Sequence, residues 1–338
     1  MSLSSPGFSQ RIHPAGFSIR IYSIRQGAQI GSITISSPDI QPPPIVIAPH
    51  HKVKVIVIIM AISYSKTSVK DKKQASDTIT FLGTGGARFM IITQILASGG
   101  LWLNLGGTEI LVDPGPGCIV QTNKRKLKAE NLSAIIVSHR HLDHAADVNI
   151  MVEAMTQGGF KSHGQLFAPA DAFDTEPILL DYLRERLDAV EILAADKTYT
   201  IGEVSVTTPV RHMHPVENYG IVFTTPRHTF SYISDTRYFD GLPGYYSNSE
   251  LLLINLVFME PRTLESHPDT PIDHLSVPDV ERIVNEIKPK AAILTHFGMG
   301  VWRAKPWEVA RELTEKTGVK VIAARDGMKF DLAKLDEG

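Results

Sequence analysis

From residue 78 onward the sequence predicts an α/β domain in which helices cover sheets, and three observations lead there. Short apolar runs alternate with amphipathic segments along the whole stretch. Several of those runs end on a histidine or an aspartate, as strands do when they deliver side chains to a shared edge. The chain of 338 residues is 43% hydrophobic and 21% charged, which allows a large buried core and argues against a disordered or membrane-embedded whole.

In chain order, the first segment is a leader, residues 1–76. It carries nine Lys and Arg against two acidic residues, Asp39 and Asp71, while 77–338 carries 25 basic and 34 acidic side chains. The formal net charge of −2 conceals this asymmetry. The leader is rich in Ser and Pro, and its Pro42-Pro43-Pro44 run favours polyproline II and cannot enter the interior of a sheet. Most of it is therefore expected to be poorly ordered, with the folded domain spanning 77–338. Residues 53–62 (VKVIVIIMAI) are apolar enough for a strand or a signal-peptide core. They are too short for a bilayer, which needs ~20 residues. They also lie well inside the chain, some fifty residues from its first residue, whereas a signal peptide sits at the very N-terminus, so a cytoplasmic location is expected. Met60 is an alternative start of the native chain.

Strands are predicted over 78–82, 109–112, 134–138, 204–209, 221–224, 229–234, 251–255 and 291–295, each a short apolar or β-branched run bounded by turn residues. Helices are predicted over 145–156, 176–188, 277–287 and 306–317. Pro278 and Pro306 suit a first helical turn, where the missing N–H is no loss, and Ser276 is placed to cap the third helix. Four strands end in metal-type residues: 134–138 runs into His139, the strand near 204 leads to His212 and His214, 229–234 ends at Asp235, and 291–295 ends at His296.

The densest motif is His139-Arg140-His141-Leu142-Asp143-His144. Imidazole and carboxylate are ligands that zinc, iron and manganese accept. Alternate residues leaving a strand point to opposite sides, so the loop must fold back if His139 and His141 are to share one metal while Asp143 and His144 face another. The single cysteine, Cys118, excludes an intrachain disulfide and a thiolate cluster.

The motif resembles that of the metallo-β-lactamase-fold hydrolases, and the resemblance extends from about residue 78 to the C-terminus. It implies a four-layered αββα sandwich of two mixed β-sheets. By position it implies that His139, His141 and His214 bind a first divalent metal ion and Asp143, His144 and His296 a second, with Asp235 bridging them. Zinc is the metal expected, with manganese and iron as alternatives. Phe81-Leu82-Gly83-Thr84-Gly85, His214-Pro215-Val216 with Gly220, His274-Leu275-Ser276 and Leu294-Thr295-His296-Phe297 are similar to the ribonuclease Z branch. The same resemblance makes Asp113 the buried acid behind the ligands, or else a turn cap before Pro114-Gly115. It makes His274 the general acid beside the leaving group, or else a neighbour of a helix cap. His212 reads as a support behind the ligands or a substrate contact. Gly83-Thr84-Gly85-Gly86 lacks the Lys-Ser/Thr of a phosphate-binding loop and reads as a tight turn near the site. His13, His50, His51, His163, His228 and His267 show no pattern and are taken as surface residues.

The resemblance implies hydrolysis by a metal-bound hydroxide, with Asp143 and Asp235 orienting it and His274 protonating the leaving oxygen. A small or cyclic phosphodiester is the first expectation for the substrate. A lactone, thioester or β-lactam is the alternative within the fold, and a non-catalytic metal-binding module the alternative outside it. No Gly/Pro-rich basic arm separates His144 from His214, and the domain is acidic. A nucleic-acid partner is therefore not expected, since phosphate backbones are bound through Lys and Arg. No membrane partner is expected either, and oligomerisation is left open. A flavodiiron-type redox role is disfavoured, because that branch resembles His-x-Glu-x-Asp and His141 stands where the Glu would be.

Overall fold

The computed structural model describes residues 77–337, together with two leader strands, β1 (Ile19–Tyr22) and β2 (Ser32–Ile35), which pair antiparallel. Chain contacts divide between Lys70 and Asp71. The expectations for 53–62, for Met60 and for disorder across most of the leader lie outside the described residues.

Two seven-stranded mixed sheets follow. The first is laid down by β3 (Thr78–Phe81), β4 (Leu101–Leu105), β5 (Thr108–Val112), β6 (Leu132–Ile136), β7 (Gln165–Pro169) and β8 (Ala189–Leu193). The second begins with β9 (Lys197–Ile201), β10 (Val204–Thr208), β11 (Ile221–Thr224), β12 (Thr229–Ile233) and β13 (Leu251–Asn255). A small hairpin of β14 (Thr263–Leu264) and β15 (His267–Pro271) intervenes before β16 (Ala291–Thr295) and β17 (Lys320–Ala323) complete it. The last strand, β18 (Lys329–Asp331), returns to pair with β3. The orders are β18-β3-β4-β5-β6-β7-β8 and β17-β16-β13-β12-β11-β10-β9. Each sheet is parallel at one end, through β5 to β8 and through β12, β13, β16 and β17, and antiparallel at the other.

The helices are α1 (Arg88–Thr93), α2 (Cys118–Lys124), α3 (Leu142–Ala145), α4 (Val148–Met155), α5 (Asp181–Arg184), α6 (Val277–Ile287), α7 (Met299–Arg303) and α8 (Pro306–Thr317). Side-chain alternation assigns the layers. In β13, Leu251 and Leu253 face the core between the sheets, where they meet Ile79, Phe223 and Phe230, while Leu252 and Ile254 face α6 and α8 through Val280, Ile283 and Leu313. On the other flank Leu111, Ile135 and Leu166 pack on Val148, Met151 and Val152 of α4. The result is the four-layered αββα sandwich. Burial on both faces explains why the central parallel strands read as unbroken apolar runs.

The predicted strands all form, with ends shifted by a few residues at most. Of the strands not predicted, β8, β9, β17 and β18 lie at the sheet edges, where exposed polar side chains interrupt the apolar signal. The helix predicted over 176–188 is a correction, because only Asp181–Arg184 is helical. Asn149 on α4 ties down the bent segment before α5, donating to the carbonyl of Ile178 and accepting from the N–H of Leu180. The predicted helix over 145–156 forms as α4, with the separate short turn α3 ahead of it. Among the described residues no helix is long and apolar enough to cross a membrane.

Cys118 is fully buried in the layer between the first sheet and its helices, and burial pushes its thiol up into the weakly acidic extreme. It should resist a water-soluble disulfide reagent in the native protein and react completely once unfolded. Thiol titration with and without denaturant checks this, and fast native labelling would contradict the packing.

Candidate metal centre

Every strand that feeds the site does so from its carboxyl end, and the two sheets present those ends along a common edge. Asp113 follows β5, His139 to His144 follow β6, Asp235 follows β12, and His296 follows β16. Ser138 and His139 leave β6 buried; the chain then turns, and the single turn of α3 carries Asp143 and His144. This is the fold-back that the alternation argument required.

The donors form two groups. His139, His141 and His214 bring one nitrogen each into the first; Asp143, His144, Asp235 and His296 form the second, with the donor atoms of each group within 4.8 Å of one another. Asp235 lies between the groups, its Oδ2 at 3.9 Å from His139 Nε2 and 3.4 Å from His144 Nε2, its Oδ1 at 3.4 Å from His296 Nδ1. His214 Nε2 is 3.0 Å from His141 Nδ1. His296 Nε2 is 3.3 Å from Asp143 Oδ2. His274, outside both groups, brings Nδ1 to 3.4 Å from Asp235 Oδ2. All eight site residues predicted from the sequence are thus brought together.

The electrostatics call for cations. Asp113 and Asp235 are only 3% and 2% exposed, and Asp143 is shielded by His144 and His296. Buried carboxylates demand compensating positive charge. Burial acts to raise Asp235 and Asp143, but His296, His274 and His144 outweigh it at Asp235, and His144 and His296 at Asp143, so both remain ionised. At His144 burial works downward, yet Asp113, Asp143 and Asp235 hold the imidazole well above its ordinary range. Burial keeps His139 well below that range and lowers His214 to about 4, leaving both neutral with lone pairs available. Buried His139 Nε2, His144 Nε2 and both nitrogens of His296 have no hydrogen-bond partner. Unpartnered buried imidazole nitrogens facing ionised carboxylates fit divalent metal ions.

Groups behind the donors fix their aim. Asp113 accepts from the N–H and hydroxyl of Ser138 at 2.6 and 2.7 Å, from His144 Nδ1 at 2.8 Å and from the Tyr232 hydroxyl at 2.9 Å. Its bond to Nδ1 sets the tautomer that turns His144 Nε2 inward. His214 Nδ1 is likewise held by the carbonyl of Asp273 at 3.1 Å. His212 is buried between the Tyr246 hydroxyl at 2.6 Å and the Ser234 hydroxyl at 3.2 Å, which makes it a support and not a substrate contact. Sequence reasoning missed Asn255, whose Nδ2 donates to Asp235 Oδ1 at 2.9 Å and to the Tyr232 oxygen at 3.1 Å. The signal was present, since the apolar run of β13 also ends on this polar residue.

The glycine-rich turn lies against the site. A Cβ on Gly86 would stand 2.0 Å from His296 Nδ1, so only glycine allows this approach. Asp326 holds the turn by accepting from the N–H and hydroxyl of Thr84 and the N–H of Ala97. Among the histidines taken as surface residues, His228 is a correction: it is 4% exposed, because the turn between β11 and β12 folds it against Glu250 at 3.4 Å. With Asp336 these make a third cluster of donor type, but Lys290 already pairs with both of its carboxylates, 2.7 Å from Glu250 and 3.7 Å from Asp336.

Comparison with known proteins agrees with this geometry. Residues 108–297 match the family model described as a β-lactamase superfamily domain. The chain belongs to this superfamily. It is a metal-dependent hydrolase of the metallo-β-lactamase fold, in the ribonuclease Z-like branch. An uncharacterized protein of Methanocaldococcus jannaschii is 30% identical over 261 residues, covering 75% of this chain and 94% of its own. The probable metallo-hydrolase YhfI of Bacillus subtilis is 26% identical over 202 residues, 60% of this chain and 80% of its own. Its crystal structure superposes with a TM-score of 0.60 at 22% identity, covering 76% of this chain and 99% of that one. Ribonuclease Z of Methanosarcina acetivorans is 28% identical over 148 residues, 43% of this chain and 48% of its own.

Asp113→Ala removes the acceptor shared by Ser138, His144 and Tyr232 while leaving every donor of both groups in place. Metal retention is expected to fall by ~10- to 100-fold, the usual effect of losing a group that orients a ligand. Metal content after dialysis against a graded chelator measures it; unchanged retention would assign Asp113 to the turn alone.

Proposed function

We propose that this protein is a dinuclear hydrolase of a small or cyclic phosphodiester. The observation that carries the reading is Asp235, a buried carboxylate set between a three-histidine group and an Asp143–His144–His296 group, with His274 beside it. His139, His141 and His214 would hold one divalent ion and Asp143, His144 and His296 the other, with Asp235 shared and zinc the expected metal. When bound, such ions activate water and offset the charge that develops on phosphate oxygens. Asp143 and Asp235 orient the attacking water. Water oxygen bonds to phosphorus, the bond from phosphorus to the leaving oxygen breaks, and that oxygen takes its proton from His274.

Burial lowers the His274 imidazole and Asp235 partly restores it. An anionic diester beside the ring would act in the same direction as Asp235 and favour the protonated form that donates. Similarity to ribonuclease Z proteins supports a phosphodiester, and the acidic composition of 77–338 supports a small one over a long nucleic acid.

Two experiments test the reading. Asp143→Ala should lower occupancy of one metal site, and Asp235→Ala should disturb both; two full equivalents of metal in purified Asp235→Ala would remove the shared-ligand role. His274→Ala should keep both metals and lose ~10²- to 10⁴-fold in rate, with the greater loss on an unactivated alkyl diester than on an activated aryl one. Equal losses on both substrates would exclude proton donation.

A further inference from the structure

Beside the two donor groups lies a cavity of about 130 Å³, walled by the start of α1 on one side and by the segment after β13 and the start of α7 on the other. Two of its lining residues contact the site. Ala87, in its wall, donates its backbone N–H to Asp143 Oδ2 at 3.1 Å. Phe258, in the opposite wall, sets its ring edge-on to His274 with centroids 5.7 Å apart. A group whose oxygen is protonated by His274 therefore has this space to occupy.

The walls define what would fit. Phe258, Met259 and Met299 supply an aromatic ring and two polarisable thioethers to the lining, groups suited to contact with a flat ring. Apolar cavities of ~150 Å³ accommodate benzene, so this volume matches one six-membered ring. Arg88 and Arg262 stand at the rim, both exposed, and neither has a carboxylate partner among the described residues. The Arg262 guanidinium lies over the Phe258 ring at 5.2 Å from its centroid. Two uncompensated cations in an acidic domain, bracketing an apolar slot, mark a place for negative charge at the outer edge of the ring.

We propose that this cavity is the leaving-group pocket and selects a single planar ring that carries an anionic substituent. The proposal rests on the phosphodiester reading for the chemistry at His274, and its test is independent of turnover. Methylphosphonate, phenylphosphonate and 4-carboxyphenylphosphonate, whose carbon–phosphorus bonds resist hydrolysis, are titrated by calorimetry into the zinc-loaded protein. Phenylphosphonate should bind about tenfold more tightly than methylphosphonate, and the carboxylate should add a further several-fold. Arg262→Gln, a change at an exposed side chain, should cancel the carboxylate gain and spare the ring gain. Phe258→Ala should reduce the ring gain with zinc content unchanged. Equal binding of the phenyl and methyl compounds, or binding of neither, would overturn the pocket. Ring selectivity in a protein that hydrolyses no diester would uphold the pocket and count against the phosphodiester reading alone.

Discussion

Three carboxylates, Asp113, Asp143 and Asp235, are drawn together at the strand ends, and the first and third are almost wholly removed from water. Isolated charges of this kind are strongly unfavourable in a protein interior. They persist because imidazoles surround them, because backbone and hydroxyl donors satisfy Asp113, and because the remaining nitrogen lone pairs invite a cation. The rest of the domain supplies the geometry that this charge concentration needs.

The two sheets contribute unequally. The first brings Asp113 and the His139 to His144 loop; the second brings Asp235 and His296 with the supports Asn255 and Tyr232. They are joined across the edge by the turn at Thr84 to Gly86, whose backbone exchanges hydrogen bonds with Phe297, and by Asp326, which anchors that turn. Asp113 and His296 both adopt left-handed backbone, with φ of 52° and 58°. Such residues are strained by about 1–3 kcal/mol each and persist where surrounding structure over-determines them. Here the strain aims the two side chains from strand ends back toward the shared edge.

The same edge explains why the donor groups and the adjoining cavity lie together. Residues after β13 and β16 contribute to both, so Phe258 packs against His274 while Gly298 and Met299 continue the wall from His296. The donor groups sit at the strand ends, and the cavity is walled by segments that follow them. This division is general to α/β enzymes, whose rigid strands hold reactive groups and whose loops vary.

By itself the sequence determined the class of fold, most of the inner strands and the metal-type residues, although the interior strands β4 and β7 were not predicted. Unbroken apolar runs mark strands buried on both faces, and the His139 to His144 spacing leaves few other readings. It did not reveal the edge strands, whose polar faces dilute the signal, or the shortness of the helix near 181, which depends on hydrogen bonds to Asn149. The roles of Asn255 and Asp326 and the burial of His228 were likewise decided by tertiary structure. Each depends on a partner tens to hundreds of residues away, and sequence spacing carries no record of which strand ends meet.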